Sequence, residues 1–63
     1  MTAKECKELR QALGLTQAML AATLGVAVGT VSRWENGRAT PSHLAARNLG
    51  ALRRAGEELK DGQ

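Results

Sequence analysis

Five arginines, Arg33, Arg38, Arg47, Arg53 and Arg54, stand against a single acid, Glu35, in one stretch of a chain whose net charge is +3. A guanidinium presents its N–H donors as a rigid fork. That fork fits the oxygens of a phosphate, or the two acceptors on the major-groove edge of a guanine. Outside the stretch, Lys4, Lys7, Arg10 and Lys60 are outnumbered by Glu5, Glu8, Glu57, Glu58 and Asp61. The positive charge is therefore local, as a polyanion footprint requires, although Arg53 and Arg54 read equally well as a solvated helix surface. Bond-making chemistry has little to work with. There is one His (His43), one Cys (Cys6) and no carboxylate pair whose surroundings would force its pKa values apart, so neither a metal set nor an acid–base couple can be assembled. No enzyme, cofactor or metal is expected, and His43 reads as a polar residue near a phosphate track.

The elements that must carry these arginines centre on Gln17 to Asn36, QAMLAATLGVAVGTVSRWEN, which reads as two short helices joined by a tight turn. Leu20 and Leu24 form the apolar stripe of the first helix, Val31 and Trp34 that of the second, and both stripes must face one core. Gly25 can end the first helix, since glycine takes a left-handed backbone at no steric cost, and Val26 plugs the corner from inside. Ala21 sits where two steeply crossing helices come nearest and must stay small. Together Gln17, Ala21, Gly25, Val31 and Trp34 have the spacing of a DNA-binding helix-turn-helix.

Length limits what else the chain can do. Its 63 residues form one small domain, which buries only about 60% of its unfolded surface and leaves little room for an enclosed catalytic pocket. Trp34 is the only aromatic residue, so Leu, Val, Ala and Met must build the core around one ring. A lone Cys allows no internal disulfide and fits a reducing compartment. No run of apolar residues approaches the roughly 18 of a membrane span, and MTAKECKE is too charged for a signal peptide. A soluble, cytoplasmic protein with no membrane contact is the expectation.

Taken in order, Thr2 and Glu5 form a capping box that starts the first helix at Ala3, and Cys6, Leu9 and Leu13 make its apolar stripe until Gly14. Lys4, Lys7, Glu8 and Gln11 face water, while Arg10 adjoins the stripe. Leu15 enters the core, and Thr16 caps the second helix, leaving Gln17 exposed at a helix N-terminus where it could grip a phosphate. The third helix begins poorly: Ala27 stands at the cap and Val28, Gly29 and Thr30 are weak helix formers. Gly37 closes it after Asn36. Beyond the loop Arg38-Ala39-Thr40, Ser42 (or Thr40) caps a fourth helix over His43 to about Arg54. That helix turns Ala45, Ala46, Leu49 and Leu52 inward, with Gly50 allowing a close neighbour. The domain is expected to span residues 1–56, with 57–63 a helix extension or a flexible tail.

LRQALGLTQAMLAATLGVAVGTVSRWENGRATPS resembles the Cro and phage-repressor type of helix-turn-helix, the XRE-like family, over residues 5 to about 52. The resemblance implies an all-α, lambda-repressor-like domain of four or five short helices, with the third in the major groove of double-stranded DNA. It implies a transcriptional regulator, a repressor or autoregulator, working as a homodimer on a palindromic operator. By position, Ala27, Val28, Gly29 and Arg33 match family sites that face base edges. Thr16, Gln17, Thr30, Arg38, Thr40, Ser42 and His43 match phosphate-facing ones. The departure is at Val28 and Gly29, where the family often places Gln, Ser or Arg; polar readout then narrows to Arg33, helped by Thr30, and Val28 could meet a thymine methyl.

Structural roles fall to Arg10, Ala21, Gly25, Trp34, Glu35 and Gly37, with Arg10 and Glu35 expected to pair where their stripes converge, as the resemblance also indicates. Leu44, Leu52 and Leu59 exceed what a four-helix core can bury and are the expected dimer surface, small enough that the free chain would dimerise mainly on DNA. A second reading is an antitoxin-like module that binds a protein partner and in which DNA binding is secondary. An exposed apolar patch on the fourth helix would favour it; tight, salt-dependent DNA binding would favour the first.

Overall fold

The computed structural model describes residues 1–61, with side chains through Glu58. Among them four helices follow in order: α1 (Ala3–Ala12), α2 (Gln17–Leu24), α3 (Val28–Glu35) and α4 (His43–Asp61). There are no strands among the described residues, so the fold is all-α as expected. Leu59 belongs to α4, but its side chain lies outside the described residues.

Local chemistry accounts for each start. Thr2 Oγ1 accepts from the Glu5 N–H at 3.1 Å and Glu5 Oε1 accepts from the Thr2 N–H at 2.8 Å, which completes the capping box of α1. Thr16 Oγ1 accepts from the Met19 N–H at 3.1 Å at the head of α2. Ser42, not Thr40, serves α4, its hydroxyl oxygen accepting from the Ala45 N–H at 3.2 Å. Only α3 starts bare: Ala27 is its cap residue and no side chain bonds its first turn.

The first three helices end in one way. After each comes a glycine with φ near +70° (Gly14, Gly25, Gly37), a backbone that side chains rarely adopt. The following residue then reaches back: Leu15 N–H to the Arg10 carbonyl at 3.1 Å, Val26 to Ala21 at 3.0 Å, Arg38 to Arg33 at 2.9 Å. These are Schellman closures, which occupy carbonyls that a helix end otherwise leaves without partners.

Cys6, Leu9, Leu20, Ala21, Val31, Trp34, Ala45 and Leu49 form the buried core, ringed by the partly buried Leu13, Leu15, Leu24, Val26 and Leu52. All four helices contribute to it. Ala21, 3% exposed, is small where α2 and α3 cross, as the spacing required.

Two expectations for α4 need correction. The helix does not end at about Arg54 but runs through Gly56 to Asp61, which is the helix extension of the two readings offered for the C-terminal segment. Nor does Gly50 make a close contact, because a Cβ built there would meet nothing within 4 Å. The close approach is at Gly56, where a Cβ would lie 2.6 Å from Leu13 Cδ2. Gly56 thus lets α4 lie against the end of α1, at a residue that would weaken an isolated helix.

Candidate nucleic-acid interface

With Val31 and Trp34 turned into the core, the period of α3 sends Gly29, Ser32, Arg33 and Asn36 to the opposite side, with Val28 at its edge. Val28 is 49% exposed, and Ala27, Gly29 and Arg33 are exposed as well. The base-facing set expected from sequence is therefore gathered at the outward start and middle of one short helix. Two neighbours on that face were missed: half-buried Ser32 and exposed Asn36, whose Nδ2 donates to Ser32 Oγ at 3.2 Å. Their spacing from Gly29, three and seven residues, was the available signal. Thr30, half-buried, sits off to the side of this face.

Of the residues expected at phosphates, Thr16, Arg38, Thr40, Ser42 and His43 are all exposed. Thr16 and Ser42 each accept one helix-cap hydrogen bond at the hydroxyl oxygen, which leaves the hydroxyl hydrogen to donate.

Gln17 departs from expectation. It is not a freely exposed side chain but half-buried, and its Nε2 donates to Glu35 Oε1 at 3.2 Å. Glu35 also accepts twice from Arg10, from Nε at 2.7 Å and from Nη2 at 3.0 Å, while Arg10 Nη1 donates to the Leu15 carbonyl at 2.9 Å. The expected pair between α1 and the end of α3 is present as a fork. Its side chains are 15% and 4% exposed for Arg10 and Glu35. The Arg10 fork holds the Glu35 carboxyl below the usual carboxylate range, against burial that pushes it up, and Gln17 adds to the lowering. Arg10 is correspondingly pushed up, chiefly by its hydrogen bonds to Glu35.

On α4, Arg47 and Arg54 are seven residues apart and share an exposed face. Arg53 lies 3.9 Å from Glu57 one turn on, both well exposed, so it belongs with the solvated helix surface. Leu44 is 64% exposed, whereas Leu52 is half-buried and packs on the core, so its apolar surface is already partly used. A shallow cleft of about 250 Å³ between α2 and α4 is lined by Thr23, Leu24, Asn48, Ala51 and Leu52.

Among the described residues no three His, Cys, Asp or Glu side chains gather where they could hold a metal ion, and no helix is long and apolar enough to cross a membrane. Cys6 is 1% exposed, and burial pushes its thiol up.

Comparison with known proteins agrees with this geometry. A family model described as helix-turn-helix matches residues 7–49, from the second turn of α1 to the middle of α4, which is more than half of the chain. No curated protein and no solved structure matches the chain significantly. The matched span takes in the whole of α2, the Gly25 corner and α3 with its outward face, and on that ground the chain belongs to the helix-turn-helix family of the Cro and phage-repressor, XRE-like type, a family of DNA-binding transcription regulators.

Proposed function

We propose that the protein is a repressor or autoregulator that lays α3 in the major groove and occupies a near-palindromic operator as a dimer. The observation that carries this reading is the outward face of α3. Val28, Gly29 and Arg33 are exposed there, on a helix whose first turn has no side-chain cap, and among the described residues the face carries one side-chain hydrogen bond of its own, from Asn36 to Ser32. Arg33 supplies the fork for guanine O6 and N7, and Val28 an apolar surface for a thymine methyl. Thr16, Gln17, Thr30, Arg38, Thr40, Ser42 and His43 set the register on phosphates, which carry affinity rather than sequence information.

One domain with one recognition helix reads too few base pairs to pick a site from a genome. Two copies related by a two-fold axis place their α3 helices about 34 Å apart, one DNA turn, and so demand a near-palindrome. Leu44, with Leu59 on the sequence pattern, is the apolar surface available for that contact, and Leu52 contributes only what the core leaves over.

The test is binding of the purified chain to its own upstream DNA across a salt series. Tight binding that weakens steeply with salt supports the reading. The exposure of Leu44 favours a second one, an antitoxin-like module that docks a protein partner through α4. DNA affinity that stays weak at every salt concentration would favour that alternative.

A further inference from the structure

We propose that Glu35 is the positioning residue for Gln17, deciding which end of its amide is offered to a DNA phosphate; this deepens the DNA-binding reading above and rests on it. Gln17 is the first residue of α2, beside the Thr16 cap and half-buried. Left to itself, a glutamine amide can offer either N–H or C=O to a neighbour. Beside an anionic phosphate only the N–H is of use.

Glu35 settles the choice because an ionised carboxylate can only accept. Its Oε1 takes one hydrogen of Gln17 Nε2 at 3.2 Å and one of Arg10 Nη2 at 3.0 Å, while Oε2 takes Arg10 Nε at 2.7 Å. The Gln17 NH2 must therefore face Glu35. Its second hydrogen, in the amide plane and splayed away from the first, makes no hydrogen bond among the described residues, and because Gln17 is only half-buried it is left for an outside acceptor. Arg10 keeps the carboxylate charged and is itself anchored to the Leu15 carbonyl at 2.9 Å. A relay from α1 through the end of α3 to the start of α2 thus fixes the amide when the domain folds, and its rotamer freedom is not lost again on binding.

The experiment compares Gln17→Ala in three backgrounds: wild type, Arg10→Met/Glu35→Gln and Arg10→Met/Glu35→Leu. Neither double variant strands a charge, but only the first keeps an acceptor at position 35. The probe is a mixed-sequence duplex of about 20 base pairs, titrated at low and moderate salt, with a thermal melt of every variant. Gln17→Ala is expected to weaken binding about 10-fold in wild type, the value of a hydrogen bond to a charged group. The loss should fall to an intermediate value with Glu35→Gln, whose amide can present either end to Gln17, and to about 2-fold or less with Glu35→Leu.

Equal losses in all three backgrounds would overturn the positioning role, and so would no loss in a wild type that binds the duplex. A wild type that binds no duplex at any salt would remove the DNA-binding reading itself, and the proposal with it. Should a double variant fail to fold, the Gln17 side-chain amide protons of the wild type give the answer by nuclear magnetic resonance. They are expected to shift as Glu35 is protonated in acid while those of exposed Gln11 do not, and a Gln17 signal that moves no more than that of Gln11 would overturn the proposal.

Discussion

Arg10 and Glu35 show how much one pair can matter in a domain of 63 residues. Removing Arg10 leaves a carboxylate that is 4% exposed with Gln17 as its remaining hydrogen-bond partner. Arg10→Met should therefore cost about 3–5 kcal/mol, enough to unfold much of a chain this small. Arg10→Met/Glu35→Leu should be far better tolerated, and thermal melts of the single and double variants compare them directly; an Arg10→Met melt equal to wild type would remove the pair from the account. The same pair sets a pH dependence. Because the folded state holds the Glu35 carboxyl below its unfolded value, the unfolded chain binds the proton first as pH falls. The stability is thus fully present above about pH 4.5, the unstructured carboxyl value, and is lost as pH drops through the folded one. Urea titrations from pH 7 to pH 3 should show a steeper acid loss for wild type than for the double variant.

Arg33 and Arg38 are both exposed, and their positions alone separate their expected roles. Arg33 lies on the outward face of α3, so Arg33→Ala should cost about 1–3 kcal/mol at one base position and relax specificity there. Arg38 follows the Gly37 closure, outside the helix, and Arg38→Ala should weaken all sequences alike and flatten the salt slope by about 1. Titrations against a set of operator variants measure both, and an unchanged ranking for Arg33→Ala would reject its assignment.

Among the elements, α4 separates what glycine does by composition from what it does by contact. At Gly50 an added Cβ meets nothing within 4 Å, so Gly50→Ala should gain the helix propensity alone, about 1 kcal/mol, and raise the melting temperature by about 4–8 °C. At Gly56 the same Cβ would come 2.6 Å from Leu13 Cδ2. Gly56→Ala gains the same propensity but must displace Leu13, and should therefore end below Gly50→Ala. Equal melting temperatures would mean that Leu13 swings aside without cost. Most other helix limits are set locally, by Thr2, Thr16 and Ser42 at the starts of α1, α2 and α4 and by a left-handed glycine after each of α1, α2 and α3. For α3 only the end is secured. Its bare start leaves the N–H groups of Val28 and Gly29 to water or to a ligand, while that of Thr30 donates to the Ala27 carbonyl at 3.0 Å.

For the whole molecule the open matter is assembly. Leu44 is 64% exposed and takes no part in the core, so Leu44→Glu should leave the monomer folded while abolishing cooperative filling of two half-sites. Leu52→Glu should cost both, because that side chain also packs on the core. Titrating a full operator against a single half-site distinguishes the two cases. Identical affinities and one-to-one stoichiometry on both would mean that the domain acts alone and that the Leu44 surface serves a protein partner.

The local features of this protein were legible in its sequence because each depends on a few neighbouring residues. The Thr2–Glu5 box, the Thr16 cap, the Gly25 and Gly37 corners and the stripes of Val31 and Trp34 follow from side-chain chemistry and from the 3.6-residue period. Even the distant pair of Arg10 and Glu35 could be inferred, since two stripes entering one core bring their flanks together. The tertiary structure decided what depends on interhelical distance. Of the two readings of the C-terminal segment it took the helix extension, running α4 to Asp61 with Gly56 against Leu13, and it left Gly50 without the close neighbour that its composition suggested. It also turned Gln17 from a free surface amide into one bound by Glu35, which stands eighteen residues along the chain. Periodicity assigns a residue to a face of its own helix; which residue of another helix lies opposite depends on crossing geometry, and that is settled only when the core packs.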